Sequence, residues 1–135
     1  MANALYEKAK EGILDGSISF ITDNIKAVLV DTGAYTVNLA SHQNLSDIPL
    51  GARISTSANL ASKTATGGVA DAADQLFSAV AGATVEAAVL YKDTGTASTS
   101  RLICYVDTAT GLPVTPNGGD ITLQWNNGSN KIFKL

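Results

Sequence analysis

Runs of alternating and continuous apolar positions divide the chain into short segments. The strongest pair is TVEAAVLYKD and SRLICYVDT, two apolar stretches separated by TGTASTS, whose small polar residues suit a hairpin loop. IKAVLVDT is apolar at Ile25, Ala27 and Leu29 and also at Val28 and Val30, which predicts a central strand covered on both faces. SISFI and ARISTSA read as further short strands, AYTVNLA as a weaker candidate, and SHQNLSDIPLG as a loop or a single helical turn. Gly67 and Gly68 mark a turn before an alternation around Leu76 and Phe77. Near the C-terminus Ile121, Leu123 and Trp125 alternate with Thr122 and Gln124. Asn126 to Ser129 supply turn chemistry, and Ile132, Phe133 and Leu135 predict a return strand, so a terminal hairpin is expected.

One helix is predicted, over about residues 2–14. Leu5, Ala9 and Ile13 recur at the spacing of one helical face, Glu7, Lys8, Lys10 and Glu11 fall elsewhere, and Asp15 and Gly16 supply a stop. A helix of this length is marginal in water unless it docks on something. Leu5, Lys8, Ala9, Lys10 and Ile13 are therefore candidate interaction elements, for a partner or for the protein's own sheet. Roughly eight short strands at turn spacing predict a mainly β fold, a β-sandwich or jelly-roll-like single domain over residues 1–135 with the short N-terminal helix over one end.

Composition narrows the function classes. The chain has 135 residues, long enough to bury a core without staples. Only 16% of residues are charged, the net charge is −3, and the basic residues are scattered, which leaves nucleic-acid binding without an electrostatic footprint. No run approaches the length of a membrane span, and MANALYEKAK places Glu7, Lys8 and Lys10 where a signal peptide needs an apolar stretch. The expectation is synthesis in the cytoplasm without an export signal. Cys104 is the single cysteine, so an internal disulfide is excluded. A weakly charged surface of this kind suits protein contacts.

Candidate chemistry is sparse. Asp-Thr-Gly occurs at Asp31–Gly33 and again at Asp93–Gly95, and VLVDTGA resembles the signature of aspartic proteases. That chemistry needs two carboxylates facing each other and sharing a proton, from two loops of one chain or one loop in each chain of a dimer. The second copy follows Tyr91 and Lys92 in a polar loop, and the apolar segment that braces such loops is missing, which favours plain turns. A Ser-His-Asp set can be written from Ser41 or Ser46, His42 and Asp47, but residues this close in sequence seldom reach triad geometry. His42 reads as an exposed loop residue and Cys104, in LICYV, as a buried inert thiol. One His and one Cys cannot form a zinc site. Asp107, Asn117 and Asp120 bracket TATGLPVTPNGG and offer hard oxygen ligands, but without EF-hand spacing, so an ordinary turn is expected there. The Asn-x-Ser triplets at Asn44 and Asn127 mean little without secretion. No cofactor is expected.

Taken in order, ALYEKAKEGILDGSI, IKAVLVDT, NLSDIP, ARISTSANLASKT and EAAVLYKDTGTASTSRLICYVDTATGLPVTPNGGDITLQWNNGSNKIFKL resemble a family of small virion proteins of tailed double-stranded DNA bacteriophages. The resemblance covers nearly the whole chain and is strongest from YKDTG to IFKL. It implies a non-enzymatic structural role, foremost a capsid decoration (cement) protein on the outer face of the head, with tail, collar or head-fibre proteins as the alternative. The implied partners are the major capsid protein and copies of the chain itself, as a dimer or trimer. The implied location is the virion, and the family carries no catalytic residues; no nucleic-acid, membrane or metal partner is expected from the composition.

Overall fold

The computed structural model describes residues 3–135. Among the described residues, nine strands and one α-helix follow in the order β1 (Ala4–Leu5), α1 (Glu7–Asp15), β2 (Ile25–Val30), β3 (Arg53–Thr56), β4 (Val69–Ala70), β5 (Gln75–Phe77), β6 (Ala87–Lys92), β7 (Leu102–Val106), β8 (Ile121–Leu123) and β9 (Phe133–Lys134). The fold is mainly β, with every named strand pair antiparallel. A five-stranded sheet has the order β1-β7-β6-β2-β3, and two ribbons pair β4 with β9 and β5 with β8.

The three inner strands are those with the least interrupted apolar runs. All five residues of β7 are buried, as are the first five of β6 and five of the six in β2. Burial on both faces is what a strand inside a covered sheet requires, and it explains why these segments do not alternate. Ala27, Ala87 and Ala88 are fully buried, where small side chains let neighbouring layers approach. The β6–β7 hairpin forms as its sequence predicts. Its connection is held by hydroxyls: Ser100 Oγ donates to Thr96 O at 2.8 Å, and Thr94 N donates to Ser100 Oγ at 3.1 Å. Ser100 is accordingly buried in what would otherwise be a solvated loop.

Two expectations at the N-terminus are corrected. The helix occupies Glu7–Asp15 rather than 2–14; Ala2 lies outside the described residues, and Ala4–Leu5 form β1, paired with Tyr105 and Cys104 of β7. Tertiary pairing with an apolar strand edge wins over helix propensity there. The helix stops as expected, with Gly16 at φ 84° accepting the left-handed conformation at its end. SISFI is not a strand. Asp23 Oδ2 accepts from Ser19 N at 2.7 Å and Thr22 N donates to Ser19 Oγ at 3.3 Å, so local side-chain bonds turn the backbone. Ile18 is nevertheless buried under the helix. AYTVNLA likewise forms no strand, while SHQNLSDIPLG carries two short 3-10 turns, at Leu45–Asp47 and Leu50–Ala52.

The C-terminal hairpin is also corrected. β8 pairs with β5 through Leu76↔Thr122, and β9 pairs with β4 through Ala70↔Phe133, so the terminal segment folds against residues 69–77 instead of against itself. Trp125 fixes this choice. Its indole Nε1 donates to Ala73 O at 3.0 Å and its backbone N to Asp74 Oδ1 at 3.2 Å, with the ring buried. A buried indole N–H needs an acceptor, and the one it finds lies in the connection between β4 and β5.

Deleting residues 127–135 should therefore destabilise the protein severely. It strips the buried Ile132 and Phe133, each worth roughly 1.5–3 kcal/mol, and leaves β4 unpaired. Loss of the cooperative melting transition is the expected result; an unchanged melting temperature would make the segment a passive tail. Gly12 offers a finer probe, because a Cβ built there lies 2.6 Å from Ile18 Cδ1 and 3.2 Å from Arg101 Nη2. Gly12→Ala should lower stability by about 1–3 kcal/mol through overpacking, outweighing a helix-propensity gain of about 1 kcal/mol. Denaturant midpoints should show a smaller penalty in an Ile18→Val background.

Candidate functional site

The two Asp-Thr-Gly copies end neighbouring antiparallel strands. Asp31 follows β2 and Asp93 follows β6, and since Ile25 pairs with Lys92 and Val30 with Ala87, the two acids lie at opposite ends of the ladder. Six residues at about 3.3 Å each separate them by on the order of 20 Å. Within one chain they cannot share a proton. Each carboxylate instead closes its own turn: Asp31 Oδ1 accepts from Gly33 N at 2.9 Å and Asp93 Oδ1 from Gly95 N at 3.1 Å. Asp93 Oδ2 also meets Lys26 Nζ at 3.1 Å, and Lys92 pairs with Asp23 at 3.4 Å, so β2 and β6 exchange charges at this end.

His42 is half-buried rather than exposed, and its partners are not the triad candidates. Among the described residues its Nδ1 bonds Tyr35 Oη at 2.8 Å and Asn38 N at 3.3 Å, and the ring stacks on Tyr35 with centroids 5.4 Å apart. The backbone N–H of Asn38 can only donate, so Nδ1 is the acceptor and Tyr35 donates to it. Tyr35 Oη lies 2.9 Å from Tyr6 Oη, which places Tyr6 as donor in turn. Burial pushes the Tyr35 phenol up to about 12 and Tyr6 higher still, so both stay protonated. Asp47 Oδ2 accepts from Gln43 N and Asn44 N and serves the first 3-10 turn. The Tyr6–Tyr35–His42 chain ties the start of α1 to the loop after β2, helped by Glu7 N donating to Leu39 O at 2.8 Å. No local pattern in the sequence signals this tie.

The remaining candidates are dispersed. Cys104 is buried, and burial pushes its thiol up to about 12, too high for a thiolate nucleophile near neutral pH. Asp120 Oδ1 accepts from Ala79 N and Asn117 Oδ1 from Gly119 N, while the backbone N of Asp107 donates to Asn3 Oδ1. The three residues thus serve separate local arrangements. Among the described residues, no group of three or more His, Cys, Asp or Glu is placed to hold a metal ion. Asn44 contributes to the capping box of the first 3-10 turn.

The candidate interaction elements at the N-terminus separate into two groups. Leu5 sits half-buried in β1, Ala9 is fully buried, and Ile13 packs against the core, so the apolar stripe faces the protein's own sheet. Lys8 is held by Glu11 at 3.2 Å, and its carbonyl accepts from Arg101 Nη2 at 2.6 Å. Lys10 remains outward, with Glu7, Glu11 and Leu14. Leu14 is 88% exposed and was not among the expected contact residues, because only the tertiary placement of α1 shows which face is free.

A concavity of about 370 Å³ opens between β1 and the C-terminal segment. Its lining includes apolar Leu5, Ile132 and Phe133 and polar Asn126, Lys131 and Lys134. Asn3 braces it, donating from Nδ2 to Ile132 O at 3.0 Å and accepting at Oδ1 from Thr108 Oγ1 at 2.7 Å. No protein-family model and no curated protein matches this sequence. No helix among the described residues is long and apolar enough to cross a membrane.

The Asp93 carboxyl is held below the ordinary carboxylate range, first by the Gly95 N–H and then by Lys26. A folded-state value below the unfolded one, about 3.9, contributes stability that is complete above that pH and lost as pH falls through the folded value. Denaturant midpoints should therefore decline below about pH 4. Asp93→Asn keeps an acceptor for Gly95 and removes the charge, so its decline should be shallower; a curve parallel to wild type would deny Asp93 this role.

Proposed function

We propose that the protein is a non-enzymatic structural component of a tailed bacteriophage virion, a capsid decoration protein that binds the outer face of the assembled head. The observation that carries this is the resemblance of nearly the whole chain to small phage virion proteins, strongest from YKDTG to IFKL. That stretch begins within β6 and supplies β7, β8 and β9. The side chains that could suggest catalysis support the same reading, since Asp31, Asp93, His42 and Cys104 are each engaged in turns, ties or core. In this reading the two ribbons form the second layer of a jelly-roll-like β-sandwich. Tail, collar or head-fibre proteins are the alternative location within the virion.

A decoration protein acts by mass action. Binding the mature lattice and not its unassembled subunits stabilises the lattice by the binding free energy, summed over many equivalent sites. The partners are the major capsid protein and copies of the chain itself, as a dimer or trimer, and the location is the virion surface after synthesis in the host bacterium.

Mass spectrometry of purified particles should find the protein at many copies per virion, and recombinant protein should co-sediment with capsids that lack it. Presence only in the infected-cell lysate would defeat the assignment. Binding to isolated tails but not to heads would transfer it to the alternative.

A further inference from the structure

We propose that the concavity between β1 and residues 126–134 is a docking site for an acidic, glutamate-bearing segment of a partner protein. The motive is its charge and donor pattern. The chain carries a net charge of −3, yet Lys131 and Lys134 line this concavity and no Asp or Glu does. Among the described residues the ion pairs are Lys8–Glu11, Lys26–Asp93 and Lys92–Asp23, so both of these lysines stand outside them. Lys131 also borders a shallower recess that holds Asp71. Asn126 uses its Oδ1 to accept from Gly128 N at 2.6 Å, and its NH2 has no hydrogen-bond partner among the described residues.

Lys131 itself is held at φ 47°, a left-handed conformation that glycine would adopt more readily. A strained residue on a cavity wall is where function is to be sought. The lining combines the donors of Asn126, Lys131 and Lys134 with apolar Leu5, Ile132 and Phe133, a mixture that matches a side chain with aliphatic carbons and a terminal carboxylate, and the volume suits a short run of such groups.

The inference goes beyond the virion assignment and needs only the isolated protein, so either can fail without the other. The test is an amide NMR titration of the intact chain at low ionic strength with a capped hexaglutamate peptide and, in parallel, with capped hexaglutamine. Hexaglutamate should shift the amides of Asn3, Leu5 and residues 126–134. Lys131→Gln with Lys134→Gln should weaken it about tenfold, while Lys8→Gln with Lys10→Gln leaves it unchanged. The single variants, each expected to weaken binding a few-fold, carry the comparison if the double variant unfolds. An equal response to hexaglutamine, shifts spread over every lysine, or displacement of the peptide by inorganic phosphate would overturn the proposal.

Discussion

The ladder between β2 and β6 is the constraint on which the rest of the molecule depends. Its six registered pairs run from Ile25↔Lys92 to Val30↔Ala87, and their side chains are almost all removed from water. Register is strongly specified where burial is this complete, since a slip of one residue would carry Lys26 or Lys92 into the apolar interior. With that pair fixed, β7 joins β6 through a loop whose hydroxyls bond one another and the Thr96 carbonyl, and β3 joins β2 at the other flank. Even the charges obey it: Lys26 meets Asp93 and Lys92 meets Asp23 because the ladder brings its own ends together.

The chain ends are attached to this sheet by a few polar ties placed over apolar contacts. The Tyr6–Tyr35–His42 chain anchors the start of α1, and Asn3 ties β1 both to the end of β7 and to Ile132 near β9. Trp125 anchors the C-terminal segment through Ala73 and Asp74. Buried polar atoms of this kind are costly unless paired, so each tie selects one arrangement among several that apolar contact alone would allow.

The same division shapes the surface. Residues with reactive side chains are committed to turns and ties, while the outward positions include isolated large apolar side chains, among them Leu14 and Leu50. Scattered exposure of that sort is ordinary. A concavity that gathers lysines outside every ion pair among the described residues of an acidic protein is less so, and it lies where the N-terminal and C-terminal ties converge.

The sequence alone determined the inner strands, because continuous burial leaves a continuous apolar run: β2, β6, β7 and the β6–β7 hairpin follow directly from IKAVLV, AAVLYK and LICYV. The helix stop at Asp15 and Gly16 was also legible, since glycine has a local conformational reason to be there. Its start was not, because Ala4 and Leu5 suit either a helix or a strand and only the edge of β7 decides. The terminal hairpin failed for a related reason. Turn residues at Asn126–Ser129 permit a reversal, but the acceptor for the Trp125 indole lies some 50 residues earlier, and a partner that distant leaves no trace in a local pattern. The site followed the same rule: the Asp-Thr-Gly repeat was visible as two motifs, and their placement at opposite ends of one ladder was decided by antiparallel pairing, which only the tertiary structure supplies.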